Sequence, residues 1–126
     1  MQDKKVLIVD DSKTMVRIIE NIVKQLGITD TSIAFNGKEA LELMKLKKFD
    51  LVLSDVNMRS MNGFELVESI RQSGNKVGIF MITTEGGREE VIKALRLGAN
   101  NYLVKPIDKD VLKDKITLFF KPASKG

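Results

Sequence analysis

The stretch "LVLSDVNM", residues 51–58, packs five apolar side chains and a small serine around one carboxylate, Asp55. A short apolar run of this kind reads as a strand buried on both faces, and Asp55 stands where it runs out. Alone, Asp55 would be a turn former before "NMRSMNG". Its meaning depends on what stands at the ends of the other strands. Four more β-branched or apolar runs occur: "KVLIV" (5–9), "TSIAF" (31–35), "VGIFMIT" (77–83) and "NYLV" (101–104). Helical 3.6-residue patterns separate them.

The first helix places Met15, Ile18, Ile19, Ile22 and Leu26 on its apolar face, with Ser12 as cap and Gly27 as stop. The second starts at Asn36, with Glu39 completing a capping box, and buries Ala40, Leu43 and Met44. The third repeats the device with Asn62 and Glu65, and Met61 staples onto Leu66. The fourth carries Val91, Ala94 and Leu95 and stops at Gly98; the fifth runs from Asp108 through Val111, Leu112, Ile116 and Phe119. This is (βα)5, which implies a parallel sheet with right-handed crossovers and helices on both faces. Five units are too few for an eight-stranded barrel, so the expected fold is an open, doubly wound five-stranded sheet. Strands one, three and four, apolar almost throughout, belong at its centre, and "TSIAF" and "NYLV" at its edges.

The 126 residues suit one domain, expected to span 1–126 with a core over 5–120 and a frayed tail at 121–126. Hydrophobic residues make up 43% and charged residues 30%, ordinary for a globular protein. No apolar run approaches the roughly 18 residues of a membrane span, and the N-terminus lacks a secretory signal pattern. A cytoplasmic protein with no membrane insertion is the expectation. Without Cys or His there is no thiolate metal site, no zinc-type ligand set and no imidazole base. The net charge of +4 is scattered among acidic neighbours, as in "DKDVLKDK", so nucleic-acid binding is not expected.

Ligands of open parallel sheets bind outside the carboxyl ends of the strands. Strand one ends in Asp10 and Asp11, strand three in Asp55, strand four in Thr83 and Thr84, and strand five in Lys105-Pro106. Each has an ordinary reading: Asp10-Asp11 as helix N-terminal acids, Thr83 as a cap, Lys105 as a surface lysine. Together they converge on one edge. Three carboxylates there would repel one another, and one lysine does not balance them. A bound Mg²⁺ would, since carboxylates, water and a backbone carbonyl form the hard-oxygen set it prefers. Thr83 and Lys105 can then meet phosphoryl oxygens, and Asp55, flanked by the other acids, is the natural nucleophile for an aspartyl phosphate.

"LIVDDS", "LVLSDVNM…MNG", "MITTEGG" and "NYLVKP", in this order, resemble the receiver domain of two-component response regulators. The resemblance runs from about Lys5 to Phe120 and is nearest to single-domain chemotaxis regulators of the CheY type. It implies the flavodoxin-like strand order 2-1-3-4-5 and a phosphoryl group passed from a histidine kinase to Asp55. It further implies Mg²⁺ on Asp10, Asp11, Asp55 and the Asn57 carbonyl, and a cis Lys105-Pro106 peptide. Asn57 and Glu85 would tune loss of the phosphoryl group to water. Thr83 and Tyr102 would carry the switch to the face of the fourth helix, fifth strand and fifth helix, where Lys93 and Arg96 lie. Gly86-Gly87 would leave the start of the fourth helix mobile. With no output domain after the fifth helix, a monomer acting by protein binding is implied: a CheA-like kinase as donor, the FliM-like flagellar motor switch protein as output, and a dedicated phosphatase as a further partner.

Two positions depart from the family pattern. Arg59 replaces a common Pro, an exchange expected to loosen or re-aim the loop, and Asn62 replaces a common Asp while keeping the cap. The competing readings are a phosphorelay intermediate or a fragment of a longer regulator, and, more remotely, a haloacid-dehalogenase-type phosphatase. The last wants D-x-D at strand one, where this chain has Asp10-Asp11-Ser12.

Overall fold

The computed structural model describes residues 1–121. All of the expected tail except Lys121 lies outside the described residues. The elements are β1 (Lys5–Val9), α1 (Lys13–Gln25), β2 (Asp30–Ala34), α2 (Gly37–Leu46), β3 (Leu51–Ser54), α3 (Gly63–Gln72), β4 (Gly78–Thr83), α4 (Arg88–Leu97), β5 (Asn101–Val104) and α5 (Lys109–Phe120). All strand pairs are parallel, in the order β2-β1-β3-β4-β5. β1, β3 and β4 are central, and the two more polar strands form the edges, as their composition requires. Among the described residues no helix is long and apolar enough to cross a membrane.

Strand alternation sorts the core into two layers. Leu7, Val9 and Val52 face the layer under α2, α3 and α4. Val6, Ile8, Leu51 and Leu53 face the layer under α1 and α5, where Phe80 meets Phe119 edge-on with centroids 5.6 Å apart. Each fully buried Leu, Ile or Phe contributes about 1.5–3 kcal/mol. The central strands are therefore the stiffest part of the molecule.

The caps hold. Ser12 Oγ accepts the Met15 N–H, and Asn62 with Glu65 forms the reciprocal box. At α2 the reciprocity fails: Asn36 accepts the Glu39 N–H, but the Glu39 carboxylate takes the Phe35 N–H instead. Gly98 closes α4 at φ 117°, the left-handed region that favours glycine.

Three helix faces sit differently from the sequence pattern. On α1 the buried line is Val16, Ile19, Ile22 and Val23, while Ile18 is exposed. On α4 only Ala94 is fully buried and Leu95 is exposed, with Leu97 packing inward instead. On α5 Val111 is exposed. Each apolar arc is wider than the contact its helix makes with one face of the sheet.

Candidate phosphoryl and metal site

Register builds the site. Val9 pairs with Ser54, and the Asp55 N–H donates to the Val9 carbonyl at 2.9 Å. Asp10 and Asp55 therefore leave adjacent strands side by side. Thr83 pairs with Val104, and the Lys105 N–H donates to the Thr83 carbonyl at 2.7 Å. That brings Lys105 to the same edge, where its peptide bond to Pro106 is cis, as the resemblance implied.

One oxygen from each of Asp10, Asp11 and Asp55 lies within 4.8 Å of the other two. Asp10 and Asp55 are buried and Asp11 is exposed. Both buried carboxylates are fixed on their strands' continuations: Asp10 Oδ1 accepts the Ser12 N–H at 2.9 Å, and Asp55 Oδ1 accepts the Val56 N–H at 2.7 Å. Lys105 Nζ bridges their second oxygens, at 2.9 Å from Asp10 Oδ2 and 3.3 Å from Asp55 Oδ2. Lys105 thus touches two of the three carboxylates, but its single charge leaves the cluster net negative. Burial pushes the Asp10 carboxyl above its usual range, with the Lys105 and Ser12 hydrogen bonds opposing the shift. Repulsion from Asp55 is the smallest contribution, so desolvation rather than crowding raises it. Burial works against the Lys105 charge, but the Asp10 hydrogen bond and the charges of Asp55 and Asp10 outweigh it and raise its pKa.

Three carboxylates that converge from two strands, one open to solvent, fit a hard divalent cation such as Mg²⁺. Softer metals are not favoured, because the chain has no His or Cys to offer them.

Thr83 is fully buried at the end of β4, and its Oγ1 accepts the Glu85 N–H at 3.2 Å. Glu85 is also tied by its side chain, which accepts from Asn57 Nδ2 at 2.9 Å, and by its carbonyl, which accepts from the Tyr102 hydroxyl. The resemblance paired Asn57 with Glu85 and Thr83 with Tyr102; the junction of both pairs at Glu85 comes from the folded loops. The Tyr102 ring already packs against the core layer under α4. α4 begins at Gly87 with no side-chain cap. Lys93 is exposed, with its ammonium 4.5 Å from the centre of the Phe64 ring on α3, and Arg96 is exposed one turn on. Arg59 is exposed in a tight turn closed by Met61 N–H to the Arg59 carbonyl, with Ser60 at φ 70°.

Two residues of the site went unassigned in the sequence. Ser54 donates to the Asp55 carbonyl at 2.9 Å. Gly63 sits against that carbonyl so closely that a Cβ would stand 2.2 Å from the oxygen. Asn62 marked the helix start, and nothing in that cap announced the close approach of the Asp55 carbonyl.

Tyr102 gives a clean spectroscopic test, as the chain's one tyrosine in the absence of tryptophan. Its hydroxyl is pushed from 10.0 up to about 12 by burial first, then by the charges of Glu90, Glu85 and Asp55. A folded-state pKa raised in this way gives stability that is present below pH 10 and lost as pH rises from 10 towards 12. Absorbance at 295 nm should therefore show ionisation centred near 12. A midpoint at the ordinary tyrosine value would mean that the Tyr102 hydroxyl is not buried beside these charges in solution.

The response regulator receiver domain profile matches residues 6–117. The chemotaxis protein CheY homolog of Campylobacter jejuni is 47% identical over 115 residues, covering 89% of this chain and 88% of that one. Chemotaxis protein CheY1 of Helicobacter pylori is 48% identical over 115 residues, covering 89% and 93%. Among solved structures, Vibrio cholerae chemotaxis protein CheY4 superposes with a TM-score of 0.85 at 35% identity, covering 93% of this chain and 98% of that one. The receiver domain of Francisella response regulator 1452 gives 0.87 at 30%, covering 93% and 96%. The five-stranded order, the acidic edge and these likenesses converge, and the phosphatase reading falls away: the chain belongs to the response regulator receiver domain family, among relatives of the CheY chemotaxis type.

Proposed function

We propose that this receiver accepts a phosphoryl group on Asp55 from the phosphohistidine of a histidine kinase and signals by binding another protein. The observation that carries the reading is Lys105 Nζ bridging Asp10 and Asp55 beside a third carboxylate. An Asp55 carboxylate oxygen attacks phosphorus in line, the phosphorus–nitrogen bond breaks, and its electron pair stays on the imidazole, which leaves protonated. Asp10, Asp11, Asp55 and the Asn57 carbonyl would hold Mg²⁺. The ion supplies positive charge at the equatorial oxygens.

The chain's own groups do the rest. Rigid β3 and the Val56 N–H orient the nucleophile. Lys105 exchanges a carboxylate contact for a phosphoryl oxygen. The buried Thr83 hydroxyl, which accepts from Glu85, keeps its own hydrogen to donate. The Asn57–Glu85 bond spans the loops after β3 and β4, where water must approach to remove the phosphoryl group.

Roughly two added negative charges draw Thr83 and Lys105 inward. Because the Glu85 N–H rests on Thr83 and the Glu85 carbonyl on Tyr102, movement of Thr83 disturbs both. The disturbance reaches the α4–β5–α5 face, where Lys93 and Arg96 are exposed. The relatives' names favour a chemotaxis role; the resemblance then implies a CheA-like donor, a FliM-like motor switch protein as output and a phosphatase to reset the signal.

Incubation with acetyl phosphate and Mg²⁺ should add one phosphoryl group to the intact mass. Asp55→Asn should lose the adduct, and a chelator should suppress it. An undiminished adduct on Asp55→Asn would remove the nucleophile assignment.

A further inference from the structure

The two ends of the sheet differ in charge. Asp10, Asp11 and Asp55 crowd the carboxyl edge. At the opposite end, Lys45, Lys48 and Lys76 are exposed, and among the described residues no carboxylate lies within ion-pair reach of them. Of the carboxylates at that end, Asp30 pairs with Lys47 and Asp50 accepts the Lys5 N–H, while Asp3, exposed just before β1, pairs with none of these three lysines.

Between α2 and α3 at this end lies a groove of about 260 Å³. Leu41 and Met44 of α2 and Ile70 of α3 give it apolar walls, and Lys45 and Asn75 stand at its rim. Lys76 follows Asn75 directly. The volume falls below the roughly 300–1,000 Å³ of small-ligand pockets and suits one or two inserted side chains. Met44, unbranched and polarizable, can adapt to what enters.

We infer that this groove docks a protein segment carrying an apolar anchor side chain flanked by Asp or Glu. Charge complementarity selects the occupant. A second copy of this chain would bring its own Lys45, Lys48 and Lys76 against the same lysines. A bilayer would meet the protruding Leu46, which is 85% exposed, but a flat surface does not fill a recess. The acidic edge repels such a segment while the lysine end attracts it. Leu51 and Asp55 mark opposite ends of β3, about 13 Å apart at some 3.3 Å per residue. Docking therefore leaves Asp55 free and holds the receiver in place whether or not it is phosphorylated. The inference stands apart from the assignment of Asp55.

The probe is a short amphipathic helical peptide with Leu on one face and Glu on the other, titrated into ¹⁵N-labelled protein. Saturable shifts should cluster on residues 41–45 and 69–76, and the same peptide with Lys for Glu should not bind. Combined Lys45→Glu and Lys76→Glu should weaken binding at least about tenfold. Ser69→Phe, which fills the groove at unchanged charge, should weaken it similarly, with melting temperatures confirming that both variants fold. Absent or dispersed shifts, or equal binding of the Lys peptide, would overturn the inference. So would self-association in sedimentation velocity. Co-sedimentation with phosphatidylserine vesicles that survives Ser69→Phe but not the lysine reversals, without peptide binding, would assign the surface to a membrane instead.

Discussion

Gly63→Ala should destabilise the protein by about 3 kcal/mol and slow phosphorylation along with it. Gly63 opens α3, and its N–H donates to the Val56 carbonyl at 2.8 Å. A Cβ there would lie 2.2 Å from the Asp55 carbonyl oxygen, 2.6 Å from Met81 Cε and 2.9 Å from Val56 Cα. The methionine methyl can swing away. The two backbone atoms cannot, because they continue β3 and are buried beneath α3. Relief must come from shifting α3 or the loop that carries Asp55, and either one moves the carboxylate relative to Asp10 and Lys105. Urea unfolding and the rate of acetyl phosphate labelling check both halves. Wild-type stability in this variant would show that the close approach relaxes in solution.

Lys105→Met should cost about 3 kcal/mol in the absence of divalent cation, since removing one partner of a buried pair leaves charge uncompensated. The Lys105 side chain is only 12% exposed, and its carboxylate partners 2% and 10%. Metal should restore much of the loss. In the wild type an incoming cation competes with Lys105 for Asp10 and Asp55, whereas in the variant it meets unpaired carboxylates. The rise in melting temperature on adding Mg²⁺ should therefore be larger for Lys105→Met than for the wild type. At a hundredfold excess over Kd the metal contributes about 2.7 kcal/mol, enough to see clearly. An equal rise in both proteins would mean that lysine and metal do not compete. The variant should also lose much of its response to phosphorylation, because no ammonium remains to follow the added charge.

The strand ends were legible because apolar runs break sharply into polar residues, and parallel topology forces those breaks onto one edge. Asp10, Asp11, Asp55, Thr83 and Lys105 needed no knowledge of loops. The helix faces were less legible. On α1 the residues from Met15 to Val23 form an apolar arc broad enough to contain both the expected line and the observed one. Which side of the arc is buried depends on the angle at which the helix crosses the sheet, and composition does not encode that angle. Leu95 and Val111 fail for the same reason. Glu85 was visible as a polar neighbour of Thr83, but its role as a junction comes from the loops after β3 and β4 meeting strand β5. Gly63 was invisible as a site residue because its constraint is the close approach of the Asp55 carbonyl, which leaves no room for a side chain.

The proposed signalling turns on Asp55 receiving the phosphoryl group. The direct measurement is borohydride reduction of acetyl phosphate-treated protein, which converts an aspartyl phosphate to homoserine, followed by tandem mass spectrometry. The expected result is homoserine at position 55 alone, dependent on Mg²⁺. Homoserine at position 10 or 11, or an unmodified chain under conditions that label other receivers, would contradict it.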